Sequence, residues 1–178
     1  MLLLITGGSA SGKSALAEQA AAALTAGRVA YVATMQALDA ESRARVARHR
    51  EMRGGRGFDT LESPLALPEP AALAPYDTLL LECVSNLLAN RIYGCGQTPE
   101  AAARYVSESI ADAAGWLPNM VVVTNEVFSD GGRYDPDTAA YIEALGQVNR
   151  GLARRADAVV EAVCGISVFI KGKGRITL

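Results

Sequence analysis

The sequence predicts an α/β fold: a mostly parallel sheet with helices on both faces and a C-terminal β-hairpin. Three observations lead there. Short apolar runs alternate with longer helical stretches along the 178-residue chain. The runs Leu2–Thr6, Thr78–Glu82 and Met120–Thr124 are apolar on both faces, as in a sheet covered on both sides. No internal repeat or low-complexity linker interrupts the pattern, so one domain over residues 1–178 is the simplest organisation.

The elements follow in order. Leu2–Thr6 is a strand ended by Gly7 and Gly8, and an alanine-rich helix runs from Lys13 to about Ala26. Arg28–Thr34 is the second strand. Asp39 can cap a helix running to about Met52, which Gly54–Gly57 breaks. Phe58–Leu61 reads as a short strand, and residues 63–76, with four prolines, as a loop or broken helix. Thr78–Glu82 is a strand, Asn86–Tyr93 a helix and Gly94–Gln97 a turn. Thr98 caps the next helix, with Pro99 at its first position, and that helix runs to about Trp116. Met120–Thr124 is a strand, Asp137–Ala156 a helix and Asp157–Cys164 a strand. Ile166–Ile170 and Arg175–Leu178, around Gly172-Lys173-Gly174, predict the closing hairpin.

Composition narrows the function classes. Half of the residues are apolar and the net charge is −2, so nothing global draws the chain toward nucleic acid or a membrane surface. No apolar run approaches the ~20 residues that cross a bilayer. Cys83, Cys95 and Cys164 are scattered, odd in number and without CxxC spacing. That argues against a disulfide framework and against a zinc site, and fits a reducing, cytoplasmic compartment. Met1–Ile5 has no basic leader and reads as a buried strand rather than a signal peptide.

The chemistry concentrates in Gly7-Gly8-Ser9-Ala10-Ser11-Gly12-Lys13-Ser14, which fits G-x-x-x-x-G-K-[ST]. The loop follows a buried strand and opens a helix, the setting that phosphate binding requires. Glycines let backbone N–H groups turn inward, and the helix start adds partial positive charge. Lys13 brings a full charge to the β and γ phosphates, and the Ser14 hydroxyl can ligate Mg2+. This makes the fold P-loop NTPase-like. Glu82, at the end of Leu79-Leu80-Leu81, stands where a second metal-holding carboxylate belongs; the alternative is a strand-end acid facing solvent.

His49 is the sole histidine. It lies among Arg43, Arg45, Arg48, Arg50, Arg53 and Arg56, with Glu51 the one acid between Ser42 and Gly57. Helical spacing puts Arg45, His49 and Arg53 on one face. Such a cluster can bind triphosphate oxygens and hold the imidazole neutral, able to attack phosphorus. A solvated basic helix with an incidental histidine is the other reading.

A family resemblance joins these pieces. Gly7–Ser14, Tyr31-Val32-Ala33-Thr34, Arg45 with His49, Leu80-Leu81-Glu82-Cys83 and Val123-Thr124-Asn125-Glu126-Val127 occur in order. Asn149 with Leu152-Ala153, and Gly165-Ile166, follow. Together they resemble the bifunctional adenosylcobinamide kinase/adenosylcobinamide-phosphate guanylyltransferase family of cobalamin synthesis, over essentially the whole chain. The resemblance implies that an NTP, ATP or GTP, phosphorylates adenosylcobinamide, and that GTP then passes GMP through a histidine to give adenosylcobinamide-GDP. It assigns the guanylylated histidine to His49 and catalysis to His49 and Lys13. It assigns nucleotide contacts to Gly7, Gly8, Ser9, Ala10, Ser11, Gly12, Lys13, Ser14, Ala33, Thr34, Met35, Arg50, Glu51, Met52, Arg53, Glu62 and Glu82, with Ser14 and Glu82 at the metal. It also implies a homotrimer with active sites near subunit contacts.

Ala10 stands where the family usually carries Arg, and the segment Phe128–Pro136 with Ala140-Tyr141-Ile142 departs from the family's pattern. That segment is a candidate contact for the corrinoid or a neighbouring subunit. Asn125 and Glu126 end a strand near the crevice; loop capping is their other reading. Two rival functions stay open from sequence: a P-loop small-molecule kinase without the nucleotidyl step, and a nucleotide-binding module without transfer chemistry.

Overall fold

A computed structural model describes residues 1–36, 57–127, 131–176 and 178. The expected helix from Asp39 to Met52, with His49 and its arginines, lies outside the described residues. Among the described residues the strands are β1 (Leu2–Thr6), β2 (Val29–Ala33), β3 (Phe58–Glu62), β4 (Thr78–Glu82), β5 (Asn119–Val123), β6 (Ala158–Val163) and β7 (Ile166–Lys171). They form one sheet in the order β3-β2-β4-β5-β1-β6-β7. All pairings are parallel except β6 with β7. The helices are α1 (Lys13–Leu24), α2 (Pro70–Leu73), α3 (Val84–Ala89), α4 (Pro99–Trp116) and α5 (Pro136–Arg155), with one π-helical turn at Asn90–Gly94.

The period-2 alternation of a strand divides the core in two. Leu3, Ile5, Tyr31, Leu80, Val121 and Val160 face the side covered by Leu16, Ala17, Ala20 and Ala21 of α1. Leu4, Val32, Leu79, Leu81 and Val122 face the other side, against Val106 and Ile110 of α4 and Leu145, Val148 and Leu152 of α5. Alanines let α1 lie close to the sheet. Each buried leucine contributes about 1.5–3 kcal/mol.

Local chemistry sets the element ends. Thr98 accepts from the Ala101 N–H at the start of α4. Asp135 accepts from the amides of Asp137 and Thr138, both at 3.0 Å, so α5 starts at Pro136, one residue before the sequence expectation. The Pro-rich stretch folds only one short turn, α2, with Pro70 in its first positions. The helix expected over Asn86–Tyr93 is α3 followed by the π-turn, and the Asn90 side chain donates to the carbonyls of Thr34 and Pro64, 2.8 Å each.

The C-terminal hairpin is present but its members differ from the expectation. β6 pairs with β7, closing at Val163 and Ile166. The two-residue turn is Cys164-Gly165, with φ of 51° and 80°. Two positive φ values in a row make the turn whose twist matches a hairpin. The described part of residues 172–178 holds no strand. Gly172 serves a different purpose: a Cβ there would sit 2.3 Å from the Asp157 carbonyl oxygen.

Candidate active site at the phosphate loop

β1 delivers the loop to the carboxyl end of the sheet, where ligand crevices form in such folds. The loop is held from two sides. The Gly165 amide donates to the Ser11 carbonyl at 2.9 Å, and the Glu126 amide to the Gly7 carbonyl at 3.0 Å. The β6–β7 turn closes one flank so tightly that a Cβ on Gly12 would come within 3.2 Å of the Gly165 Cα. Gly12 also has φ of 92°, which favours glycine.

The helix start is left open for an anion. Gly12 is the N-cap of α1 and supplies no side-chain cap, so the first amides of α1 have no such partner. The Ser11 hydroxyl is buried and has no hydrogen-bond partner among the described residues. A buried orphan hydroxyl beside an uncapped helix start fits phosphate oxygens. Lys13 Nζ donates to the Gly8 carbonyl at 2.9 Å, folding its charge back over the loop.

Glu82 meets this loop from β4. β5 lies between β1 and β4, so β4 ends beside the start of α1 rather than behind it. The Ser14 hydroxyl donates to Glu82 Oε1 at 2.5 Å. Burial pushes the Glu82 carboxyl up; the Ser14 hydrogen bond opposes this, Glu18 adds to it and Lys13 opposes it. Burial likewise lowers Lys13, against the pull of Cys83 and Glu82. Among the described residues no group of three or more His, Cys, Asp and Glu could hold a metal. Ser14 and Glu82 instead offer one hydroxyl and one carboxylate, a donor set that suits Mg2+, which keeps waters and substrate phosphate oxygens.

The register places further candidates on the same edge. Glu62, Ala33 and Glu82 stand in one row across β3, β2 and β4. Two strand spacings put Glu62 roughly 10 Å from Glu82 along that row. Glu62 is exposed and Met35 half-buried. Thr34 is buried, and its hydroxyl is engaged twice by Cys83, accepting from its amide at 2.7 Å and donating to its carbonyl at 2.9 Å. The structure thus brings together residues 7–14, Ala33, Thr34 and Glu82. Arg50, Glu51, Met52, Arg53 and His49 lie outside the described residues.

Sequence reasoning singled out Thr124, Asn125, Tyr141 and Asn149 but not their partner Ser85, nor Glu18; together they brace this edge. Asn125 donates to the Ser85 hydroxyl at 2.6 Å, and that hydroxyl lies 3.0 Å from the Cys83 sulfur. Tyr141 of α5 donates to the Ser85 carbonyl at 3.2 Å, and burial pushes its phenol up to about 12. Thr124 donates to Asn149 at 2.7 Å. Glu18 is 4% exposed. Its position one turn after Ser14 was the available signal. A cleft of ≈ 430 Å³ also opens at the loop, lined by Ser9, Glu126, Tyr134, Tyr141 and Ile142.

The comparisons agree with this geometry. A KaiC-like protein from Pyrococcus horikoshii shares the fold at TM-score 0.53 and 12% identity, covering 99% of this chain and 82% of that one. The bifunctional adenosylcobalamin biosynthesis protein CobU of Salmonella typhimurium is 35% identical over 96% of this chain and 100% of its own length. The protein CobP of Pseudomonas aeruginosa, with the same bifunctional description, is 32% identical over 96% of this chain and 97% of its own. The family described as cobinamide kinase / cobinamide phosphate guanyltransferase matches residues 3–170. With an intact phosphate loop, a carboxylate partner for Ser14 and relatives matched end to end, this chain belongs to the cobinamide kinase / cobinamide phosphate guanyltransferase family.

Proposed function

We propose that the chain phosphorylates adenosylcobinamide with an NTP and then transfers GMP from GTP to the phosphorylated product. The observation that carries the reading is the phosphate loop with Lys13 folded over it and Ser14 bonded to Glu82. In the first reaction the acceptor hydroxyl oxygen bonds to the γ-phosphorus. The bond from that phosphorus to the β–γ bridging oxygen breaks, and the diphosphate leaves with the electron pair. Loop amides and Lys13 hold the negative charge of the transferring group. Ser14 and Glu82 hold Mg2+, which when bound screens the phosphate oxygens.

In the second reaction His49, by family resemblance, attacks the α-phosphorus of GTP. A phosphorus–nitrogen bond forms and pyrophosphate leaves. The cobinamide phosphate oxygen then takes the GMP and frees the imidazole. Arg50–Arg53, Ala33–Met35 and Glu62 are the further nucleotide contacts of this reading. The family match and two bifunctional relatives favour it over a simple kinase or a non-catalytic module.

The same reading takes residues 1–178 as one nucleotide-binding domain, which the single seven-stranded sheet supports. It takes the chain as a homotrimer; the exposed Ile166, Val168 and Ile170 on the edge strand β7 support contact between copies. Free Cys95 and Cys164 at the surface support the cytoplasm. No described helix is long and apolar enough to cross a membrane. The test is transfer of γ-labelled phosphate from ATP or GTP to adenosylcobinamide. Wild type transfers label and Lys13→Ala loses on the order of 10²-fold or more. An inactive wild type, or an undiminished Lys13→Ala, overturns the reading.

A further inference from the structure

The flank of the phosphate loop away from the β6–β7 turn opens onto the ≈ 430 Å³ cleft beside α5. We propose that this cleft seats the acceptor of the phosphoryl transfer, an arm bearing an aliphatic hydroxyl, with the hydroxyl at Glu126 and the hydrocarbon along Tyr134, Tyr141 and Ile142. The inference rests on the kinase reading above and names its acceptor site.

Position is the first argument. Lys13 and Glu82 mark where terminal phosphates lie, on the β4–β5 side of the loop. Gly165 and Ala162 close the opposite flank: a Cβ on Gly7 would meet the Ala162 carbonyl oxygen at 2.8 Å. An acceptor approaching the γ-phosphorus in line needs the open flank. There Ser9 belongs to the loop itself, and the Glu126 main chain is bonded to Gly7.

Polarity is the second. The lining residues differ in polarity along the chain. Glu126 is the one carboxylate among the described lining residues. The polar atoms of α5 are already committed: Tyr141 donates to Ser85 and Thr138 donates to Asp135 at 2.7 Å. That leaves aromatic and aliphatic surface with Ile142. A site with one carboxylate and apolar walls suits an alcohol on a hydrocarbon arm. A whole corrin ring is larger than the cleft, so the ring stays outside and the arm enters. In the step, the hydroxyl oxygen bonds to the γ-phosphorus, the diphosphate leaves, and the hydroxyl proton passes to the Glu126 carboxylate.

The test is steady-state phosphorylation of adenosylcobinamide by the full chain, varying acceptor and NTP separately. Ile142→Trp fills the cleft, and Tyr134→Ala removes a wall at a residue exposed enough to leave folding intact. Both raise the acceptor KM roughly 10-fold or more, with the NTP KM and the affinity for a non-hydrolysable NTP unchanged. Glu126→Gln lowers kcat while the NTP affinity holds. If wild type is active and the acceptor KM stays put in both wall variants, the cleft is not the acceptor site. If the NTP KM rises instead, the cleft holds the nucleobase and the proposal falls. A wild type that binds NTP but phosphorylates no cobinamide overturns the functional reading first, and this inference with it.

Discussion

The Ser14 hydroxyl donates to the Glu82 carboxylate across 2.5 Å, joining the start of the phosphate-loop helix to the end of a strand two positions away in the sheet. Glu82→Gln keeps the size and removes the charge. Phosphorylation at saturating NTP falls by on the order of 10²-fold. Stability moves the other way. Burial raises the Glu82 pKa, so its contribution to folding is fullest at acid pH and is lost as pH rises through the raised folded value. Urea unfolding across a pH series therefore finds Glu82→Gln at least as stable as wild type at neutral pH, with the gap closing in acid.

Lys13 carries the same tension. Burial lowers its pKa, so the folded chain bears a cost for the charge that is relieved only as pH rises above the lowered value. Lys13→Met keeps the apolar stem. Its unfolding midpoint without nucleotide equals or exceeds that of wild type at pH 7, while γ-phosphate transfer drops on the order of 10²-fold or more. Thermal unfolding beside a transfer assay checks both halves.

Gly12→Ala attacks the shape of the loop rather than its charge. The new Cβ meets backbone at Gly165, which cannot rotate away, at a φ of 92°. The expected loss is about 1–2 kcal/mol of stability and at least ~10-fold in NTP affinity. Calorimetric titration with a non-hydrolysable NTP measures the second.

Asp77 anchors the turn between α1 and β2, far from the loop. It accepts from the Thr25 hydroxyl at 2.5 Å and the Ala26 amide at 2.8 Å. The Thr25 hydrogen bond leads the causes that hold its carboxyl below the usual range. That stability is present above the unfolded pKa and is lost as pH falls through the depressed folded value. Asp77→Asn costs about 1 kcal/mol at neutral pH, discounted for solvent screening, and nothing in strong acid. Unfolding midpoints at pH 7 and pH 2 separate the two cases, and NTP affinity is unchanged.

Much of this was legible in the residues. Strands such as Leu79-Leu80-Leu81 announce themselves because both faces are buried, and Gly7–Ser14 is a local motif, although Ala10 as well as Gly12 takes a positive φ in it, 57° and 92°. The hairpin partner is not legible in sequence because Gly172-Lys173-Gly174 carries the stronger glycine signal, whereas the turn uses Cys164 at positive φ, which side chains rarely adopt. Gly172 is glycine for close packing, a tertiary cause with no local mark. The links from Asn125 to Ser85 and from Tyr141 to Ser85 span 40 and 56 residues, so only the folded sheet brings them together. Glu18 reads as one more residue of an alanine-rich helix, and only tertiary packing makes it a buried acid.

The two-reaction account turns on a covalent intermediate. The full chain is incubated with α-labelled GTP and Mg2+, and the label is trapped on protein. The account predicts an acid-labile, base-stable adduct on wild type that His49→Ala lacks, while His49→Ala still transfers γ-phosphate to adenosylcobinamide. Equal labelling of the two proteins, or no label on either, contradicts it.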